Sequence, residues 1–229
     1  MRTQAVEDYL KVIYDLGRGG GPVTTSAIAT RLSVAPGTVT GMVKKLATLN
    51  LVTHESYRGV VLTESGARIA LEVIRHHRLV ERYLFEAMGV PWDQVHAEAE
   101  KWEHVLSEEM EERMDAILGN PTTDPHGSPI PTRELVLQEP DNEALARLNP
   151  GQRATVAEVG DEDAAMLRYF AELGLFPEAS VEVLSVAPFE GPISLRVAGE
   201  ECAIGRQAAE HVFVTDIREG TVEDEARST

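Results

Sequence analysis

The chain has 229 residues, of which 43% are hydrophobic, and a formal net charge of −17, so it is long enough to bury one or two cores. No apolar run approaches the roughly 20 residues needed to cross a bilayer, and the segment from Met1 to Leu10 lacks an apolar signal core. We therefore expect neither a membrane partner nor a secretory segment. With Cys202 as the one cysteine, no internal disulfide can form, and we expect a reducing, cytoplasmic setting.

The charge is unevenly distributed along the chain. Residues 1–75 carry nine Lys or Arg against six Asp or Glu, whereas the remainder carries twelve against thirty-two. Because DNA contact depends on a local basic patch rather than on the total charge, the acidic composition does not exclude a nucleic-acid partner. The mildly basic front of the chain is the candidate region for one.

Residues 3–49 have the pattern of a helix-turn-helix. Apolar residues recur at helical spacing from Thr3 to Leu16, up to a glycine-rich loop at 17–22. A short helix is expected after an N-cap at Thr25 or Ser26, then a turn at 33–36 and a longer helix from Pro36 to Leu49. Two helices around such a turn favour a DNA-binding motif, although helical corners in other proteins give the same pattern.

The second of these helices and its surroundings offer candidate DNA contacts. Small and hydroxylated residues near a helix N-terminus allow close approach to base edges or phosphates, and lysines suit the phosphate backbone. The candidates are Ser26, Pro36, Gly37, Thr38, Thr40, Gly41, Lys44 and Lys45. Strand-like segments at 51–54 and 60–63 flank a hairpin tip at 55–59, which completes a winged helix. Arg58 at that tip is expected to reach the phosphates or the minor groove.

Six potential metal ligands lie between residues 77 and 104, on two predicted long helices. The first helix runs to about Met88, and the second from Trp92 or Asp93 to Gly119. The ligands are His77 and Glu81 on the first helix and His96, Glu100, Glu103 and His104 on the second. At about 100° per residue the last four fall within an arc of roughly 100°, which suits a divalent transition metal. Spacing alone leaves a solvated, charged helix face equally open, and the neighbouring His76 is expected to face solvent.

The C-terminal part changes from helices to strands. Six of the twelve prolines lie between Gly119 and Gly151, which predicts a loop and linker with one short helix at 141–148. Strands at 154–159, 181–186, 193–197 and 212–216, with a helix at 163–172, have the pattern of a small SH3-like barrel.

The predicted fold class is mainly α with small β parts. The predicted divisions are a winged helix-turn-helix domain at 1–65, a helical metal-binding and dimerisation domain at 66–140, a linker at 141–150, an SH3-like β-barrel domain at 151–220 and an acidic tail at 221–229.

Several motifs together resemble those of the diphtheria toxin repressor family, and more closely its manganese-responsive members. The matching segments are Glu7-Asp8-Tyr9-Leu10, Tyr57 to Thr63, His77 to Arg82, Trp102-Glu103-His104 and the loop from Asp124 to Pro131. The C-terminal part resembles the SH3-like, ferrous-transport-associated (FeoA-type) domain, with Leu173-Gly174-Leu175-Phe176-Pro177 as its signature. The resemblance covers nearly the whole chain.

The resemblance implies two metal sites. One would use Asp8, Glu100, Glu103 and His104, and the other His77, Glu81 and His96. The SH3-like domain can add a ligand to the second site, for which Asp163 is the nearest candidate and Glu162 the next. Small manganese regulators without that domain usually have an acid where this chain has Lys11, so the second site is expected to follow the three-domain pattern.

The resemblance and the donor chemistry favour manganese. Iron-responsive members typically have Met and Cys at the positions of Asp8 and Glu100, and oxygen donors are harder than sulfur, which suits Mn²⁺. We therefore expect Mn²⁺ as the bound ion. Fe²⁺ is also possible, and other divalent ions are expected to bind in vitro.

The implied function is a manganese-dependent transcriptional regulator that binds a palindromic double-stranded DNA operator as a homodimer and represses metal-uptake genes. An iron-responsive repressor of the same family is the first alternative. A metalloenzyme would need an open coordination position and a substrate cleft, which the sequence does not locate. A winged-helix regulator that senses an organic ligand is the third alternative.

Overall fold

The structure is a computed structural model, and it describes residues 3–55, 58–138, 140–161 and 163–219. Helices predominate in the first half and an antiparallel sheet in the second, which confirms the predicted fold class. The described chain forms two compact units: residues 3–80, 99–122 and 130–138 in the first, and 81–98, 123–129 and the part from 140 onward in the second. Ser56 and Tyr57 of the predicted hairpin tip, and the predicted tail at 221–229, lie outside the described residues.

None of the helices in the described part of the chain combines the length and the apolar character that crossing a bilayer requires.

The first unit begins with the winged helix. Its helices are α1 (Gln4–Gly17), α2 (Thr25–Arg31) and α3 (Pro36–Thr48), and its antiparallel strands are β1 (Val52–Glu55) and β2 (Gly59–Leu62). Their apolar faces meet in one core that includes Leu10, Ile28, Val39, Leu46 and Val60. The N-cap of α2 is Thr24, whose hydroxyl accepts a hydrogen bond from the Ala27 N–H at 3.1 Å, rather than Thr25 or Ser26.

The long helices that follow differ from the prediction in one respect that matters for the site. Helix α4 (Glu64–Glu86) is continuous, but the expected single helix from Trp92 to Gly119 is wrong, since the chain forms α5 (Val95–Trp102) and α6 (Glu108–Ile117). The Glu103 N–H still bonds the Ala99 carbonyl, and Ser107 then caps α6 through its hydroxyl. Glu103 and His104 therefore lie in a turn between two helices and not on a helix face.

The second unit contains a six-stranded antiparallel sheet with the order β3-β8-β4-β5-β6-β7. The strands are β3 (Glu143–Ala144), β4 (Gln152–Val159), β5 (Ser180–Val186), β6 (Ile193–Val197), β7 (Glu200–Ile204) and β8 (Val212–Glu219). Two helices accompany them, α7 (Ala164–Glu172) and α8 (Arg206–Ala209). The short helix predicted at 141–148 is instead β3 followed by a 3-10 turn at Leu145–Arg147, and neither β7 nor α8 was predicted.

The core of the second unit lies between α7 and the sheet. Leu167 and Phe170 of α7 are fully buried against strand residues such as Val183 and Leu195. Buried and half-buried residues alternate along β6, with the period of two expected for a strand that packs one face on a core.

Candidate metal centres and nucleic-acid interface

The first candidate centre, the α1 cluster, consists of Asp8 on α1 with Glu103 and His104 in the turn after α5. His104 Nε2 lies 2.8 Å from Asp8 Oδ1 and 3.3 Å from Glu103 Oε1. Yet Nε2 and Oε1 are both buried and make no hydrogen bond of acceptable geometry among the described residues. Burial raises the pKa of Asp8, as do the charges of Glu103 and Glu100, while His104 opposes the rise. Potential ligand atoms that are buried close together and form no hydrogen bond with one another suit a bound cation.

Glu7 fixes the orientation of the histidine in the α1 cluster. Its Oε2 lies 2.5 Å from His104 Nδ1, and Glu7 itself is only 8% exposed. A carboxylate that accepts a hydrogen bond from the N–H of one imidazole nitrogen leaves the other nitrogen unprotonated and able to ligate a metal. Sequence analysis did not single out Glu7, although it stands beside Asp8 in the same motif, because its role depends on His104, 97 positions away.

Glu100 and His77, which the family resemblance assigns to two different sites, meet at Lys11. The Lys11 ammonium lies 2.8 Å from Glu100 Oε1, 2.8 Å from Glu103 Oε2 and 3.1 Å from His77 Nδ1. Glu103 Oε2 also contacts His77 Nδ1. Burial alone would raise the pKa of Glu103, but His77 and Lys11 together hold it below its usual value. We call these four residues the Lys11 pocket.

His76 is buried, and the expectation that it faces solvent is wrong. Its Nδ1 lies 3.1 Å from the Glu103 carbonyl oxygen and its Nε2 lies 3.1 Å from Glu111 Oε2. Arg75 binds the same glutamate at 2.5 Å and also Asp115 at 3.0 Å. The hydrogen bond with His76 lowers the pKa of Glu111 to about 2, with Arg75 contributing. This network ties the turn that carries Glu103 to helix α6.

The second candidate centre, the loop cluster, lies within the second unit. It brings together Glu81 of α4, Asp124, His126 and Asp161, whose ligand atoms lie within 4.8 Å of one another. His96 Nδ1 joins them, 3.1 Å from Glu81 Oε1 and 3.5 Å from Asp161 Oδ2. Although burial alone would lower the pKa of His96, hydrogen bonds with Asp161 and Glu81 raise it to about 10. The sequence predicted Glu81 and His96 but missed the other three.

His126 is oriented as a metal ligand would be. Its Nε2 lies 3.0 Å from the Trp92 carbonyl oxygen. Because a carbonyl oxygen can only accept a hydrogen bond, Nε2 carries the hydrogen and is the donor. Nδ1 has no hydrogen-bond partner among the described residues. It lies 4.0 Å from Glu81 Oε2 and 3.9 Å from Asp161 Oδ2. An imidazole fixed through one nitrogen, with the other aimed at carboxylates, is the donor arrangement that a divalent ion requires.

The loop that supplies two of these ligands is held by its own backbone. Asp124 Oδ1 accepts hydrogen bonds from the N–H groups of His126 at 2.8 Å and Ser128 at 3.0 Å. Gly127 has a φ of +92°, and a Cβ there would lie 2.0 Å from the Ala157 carbonyl oxygen. A larger residue would displace the loop from β4, so the glycine is required by both conformation and space.

Asp163 lies outside both clusters. It is the N-cap of α7, and its Oδ1 accepts from the Ala165 and Met166 N–H groups at 2.8 and 3.3 Å. Asp161, two residues earlier, is the acid that this segment contributes to the loop cluster, and Glu162 lies outside the described residues. One local feature of the sequence could have predicted part of the loop cluster. In Asp124-Pro125-His126, a proline turn holds two potential metal ligands close together.

The winged helix presents a polar face of the predicted composition. All the predicted contacts are exposed: Ser26, Pro36, Gly37, Thr38, Thr40, Gly41, Lys44, Lys45 and Arg58. A Cβ at Gly37 or Gly41 would meet nothing within 4 Å. Packing within the described chain therefore gives no reason for glycine in the middle of α3, where it lowers helix stability.

A winged helix, carboxylate–imidazole clusters and an SH3-like sheet in one chain define a metal-dependent transcriptional regulator. Three family descriptions match in order: the iron-dependent repressor N-terminal DNA-binding domain at residues 1–60, its metal-binding and dimerisation domain at 63–132, and the FeoA domain at 144–216. The chain belongs to the iron-dependent repressor family, which includes the diphtheria toxin repressor.

Individual relatives agree with this assignment. The iron-dependent repressor IdeR of Mycobacterium leprae is 36% identical over 193 residues, covering 79% of this chain and 84% of that protein. IdeR of Mycobacterium tuberculosis is 43% identical over 129 residues, but the match spans only 56% of either protein. A solved manganese-dependent transcriptional repressor in complex with manganese is 38% identical, with a TM-score of 0.86 over 92% of this chain and 99% of that one. These relatives are repressors, which sets aside the metalloenzyme alternative.

We predict that Glu7→Gln weakens Mn²⁺ binding at the α1 cluster roughly 10- to 100-fold, because the imidazole of His104 loses the carboxylate that orients it. Calorimetric titration of the full chain measures the change. Asp15→Asn, another acid on α1, serves as the control and should bind like wild type. Equal affinities for Glu7→Gln and wild type would show that the negative charge of Glu7 is not needed to hold the ligand.

Proposed function

We propose that this protein is a manganese-dependent DNA-binding repressor of metal-uptake genes, acting in the cytoplasm as a homodimer on a palindromic operator. The observation that carries the proposal is the α1 cluster, in which Asp8 of the winged helix meets Glu103 and His104 from the turn after α5. A divalent ion bound there supplies two positive charges between these ligands. To hold it, the side chains must keep α1 fixed against that turn.

The residues themselves explain why an ion strengthens this attachment. Glu7, Asp8 and Glu103 bring three carboxylates around one imidazole, His104. The charges of Asp8 and Glu103 repel one another across His104 Nε2, so a bound ion would add to the attachment that Glu7–His104 and Lys11–Glu103 already provide between α1 and the turn. Fixing α1 orients the winged helix for DNA, and linkage requires that operator DNA in turn strengthen metal binding.

The exposed face of α3 is the proposed reading surface. Lys44 and Lys45 suit phosphate contacts, while Gly37 and Gly41 let the helix approach the DNA closely. Arg58 of the wing suits the adjacent backbone or minor groove. In a homodimer two such surfaces would meet two half-sites, which makes the operator palindromic.

Manganese is supported by the oxygen donor Asp8 of the α1 cluster and by a structural relative that contains manganese. Iron is the alternative, because the sequence relatives are named iron-dependent.

For the loop cluster we propose a second ion held by Glu81, His96, Asp124, His126 and Asp161. We also retain the division into domains at 1–65, 66–140 and 151–220, which the three family matches support.

We predict that Asp8→Ala lowers Mn²⁺-dependent operator affinity on the order of 100-fold while leaving the oligomeric state unchanged. The variant removes the ligand that α1 contributes and leaves the helices after the wing intact. Electrophoretic mobility shifts over a Mn²⁺ titration measure the affinity, and Asp15→Ala is the matched control on α1. Undiminished binding by Asp8→Ala would refute the proposed linkage between metal binding and DNA binding.

We predict that Asp8→Met combined with Glu100→Cys shifts activation of DNA binding from Mn²⁺ towards Fe²⁺, because the oxygen donor that α1 supplies and a carboxylate near it both become softer sulfur groups. Anaerobic DNA-binding titrations with each ion measure the ratio of activating concentrations. Either single variant should give an intermediate ratio. A double variant with the wild-type ratio would mean that these donors do not set the metal preference.

We predict that Gly41→Ala has opposite effects on stability and on DNA binding. Alanine should stabilise α3 by about 0.5–1 kcal/mol, while its methyl group hinders close approach to DNA. Thermal unfolding and operator affinity are measured on the same preparation, with Gly205→Ala in the second unit as control. Operator affinity that stays at the wild-type value would place the DNA elsewhere than against this face.

A further inference from the structure

Lys11 lies three residues after Asp8 on α1, and its ammonium is enclosed by potential metal ligands. Glu100 and Glu103 approach it to 2.8 Å and His77 to 3.1 Å. Only 15% of the Lys11 side chain is exposed, and Glu103 is completely buried. Ligand atoms of these three acceptors lie within 4.8 Å of one another, so without the lysine they form a group that could hold a metal.

The ammonium sits where an ion bound by that group would sit. Two cations cannot share one such pocket, because repulsion at these distances in a buried site is strong. The ammonium is also part of the chain, so it is present at a fixed, high effective concentration, whereas a free ion must be captured from solution.

We propose that Lys11 is a tethered internal cation that fills the His77/Glu100/Glu103 pocket and limits the first unit to one metal ion. The inference rests on the proposed metal site at Asp8, Glu103 and His104. It adds that the two oxygens of the Glu103 carboxylate contact different cations: Oε2 contacts Lys11, and Oε1 would contact the bound ion.

The role has two opposite energetic consequences. In the metal-free chain Lys11 stabilises the first unit, because it compensates the buried charge of Glu103 and the nearby charge of Glu100. When a metal binds, the same positive charge repels the ion and lowers its affinity. A lysine that contributed only the packing of its methylene chain would have neither effect.

The test uses three full-length variants: Lys11→Met, Lys11→Glu and, as a matched charge reversal on an exposed position, Arg113→Glu. Lys11→Met should lower the metal-free melting temperature and tighten Mn²⁺ binding at the α1 cluster by about tenfold or more. Lys11→Glu should take up one more Mn²⁺ per chain than wild type in equilibrium dialysis. Its two neighbouring ions should be exchange-coupled in the electron paramagnetic resonance spectrum. Arg113→Glu should match wild type in both measurements.

Two results would overturn the proposal. One is a coupled Mn²⁺ pair in the wild-type chain, which would mean that Lys11 gives way to a second ion. The other is Lys11→Met binding Mn²⁺ no more tightly than wild type, a measurement that does not depend on whether Lys11→Glu folds without metal. Failure of the proposed function is separate, since it would appear as an Asp8→Ala chain that binds as many Mn²⁺ ions as wild type.

Discussion

The carboxylate of Glu103 is the group on which the first unit depends. It is buried, and a buried charge is costly unless its partners compensate it. One oxygen has two such partners, Lys11 and His77, while the other points at His104 and Asp8 without a hydrogen bond among the described residues. A metal at the second oxygen would complete the compensation. The side chains from α1 and from the turn are therefore both needed to stabilise a single acid.

The surroundings of that carboxylate are as specific as the ligands themselves. Glu7 orients His104 from one side, and His76 holds the Glu103 carbonyl oxygen from the other. His76 and Arg75 both bind Glu111 on α6, so the turn is anchored to the helix that follows it. Such supporting contacts keep ligands in place before the ion arrives, which reduces the ordering that binding must bring about.

The loop cluster reaches a similar donor chemistry by a different construction. In the α1 cluster a carboxylate, Glu7, orients the histidine, whereas in the loop cluster a backbone carbonyl, that of Trp92, performs this role. Two of the loop ligands come from a segment rich in proline, where the Asp124 side chain closes the turn on its own backbone. A rigid loop of this kind can present ligands without a helix, because its conformation is fixed by local hydrogen bonds and by Gly127.

The sequence by itself determined the elements whose signal is local. Helical spacing predicted α1 and α3, alternation and turn residues predicted the wing and most of the sheet, and the residue types predicted carboxylate and imidazole ligands. It could not show that the helix after Trp92 breaks at Glu103, because apolar spacing continues past the break and only the cap at Ser107 ends the pattern. Tertiary structure alone decided that Glu7, Lys11, Asp124, His126 and Asp161 stand beside the predicted ligands. Those contacts join residues far apart along the chain, and no periodicity in a single sequence records which distant side chains will meet.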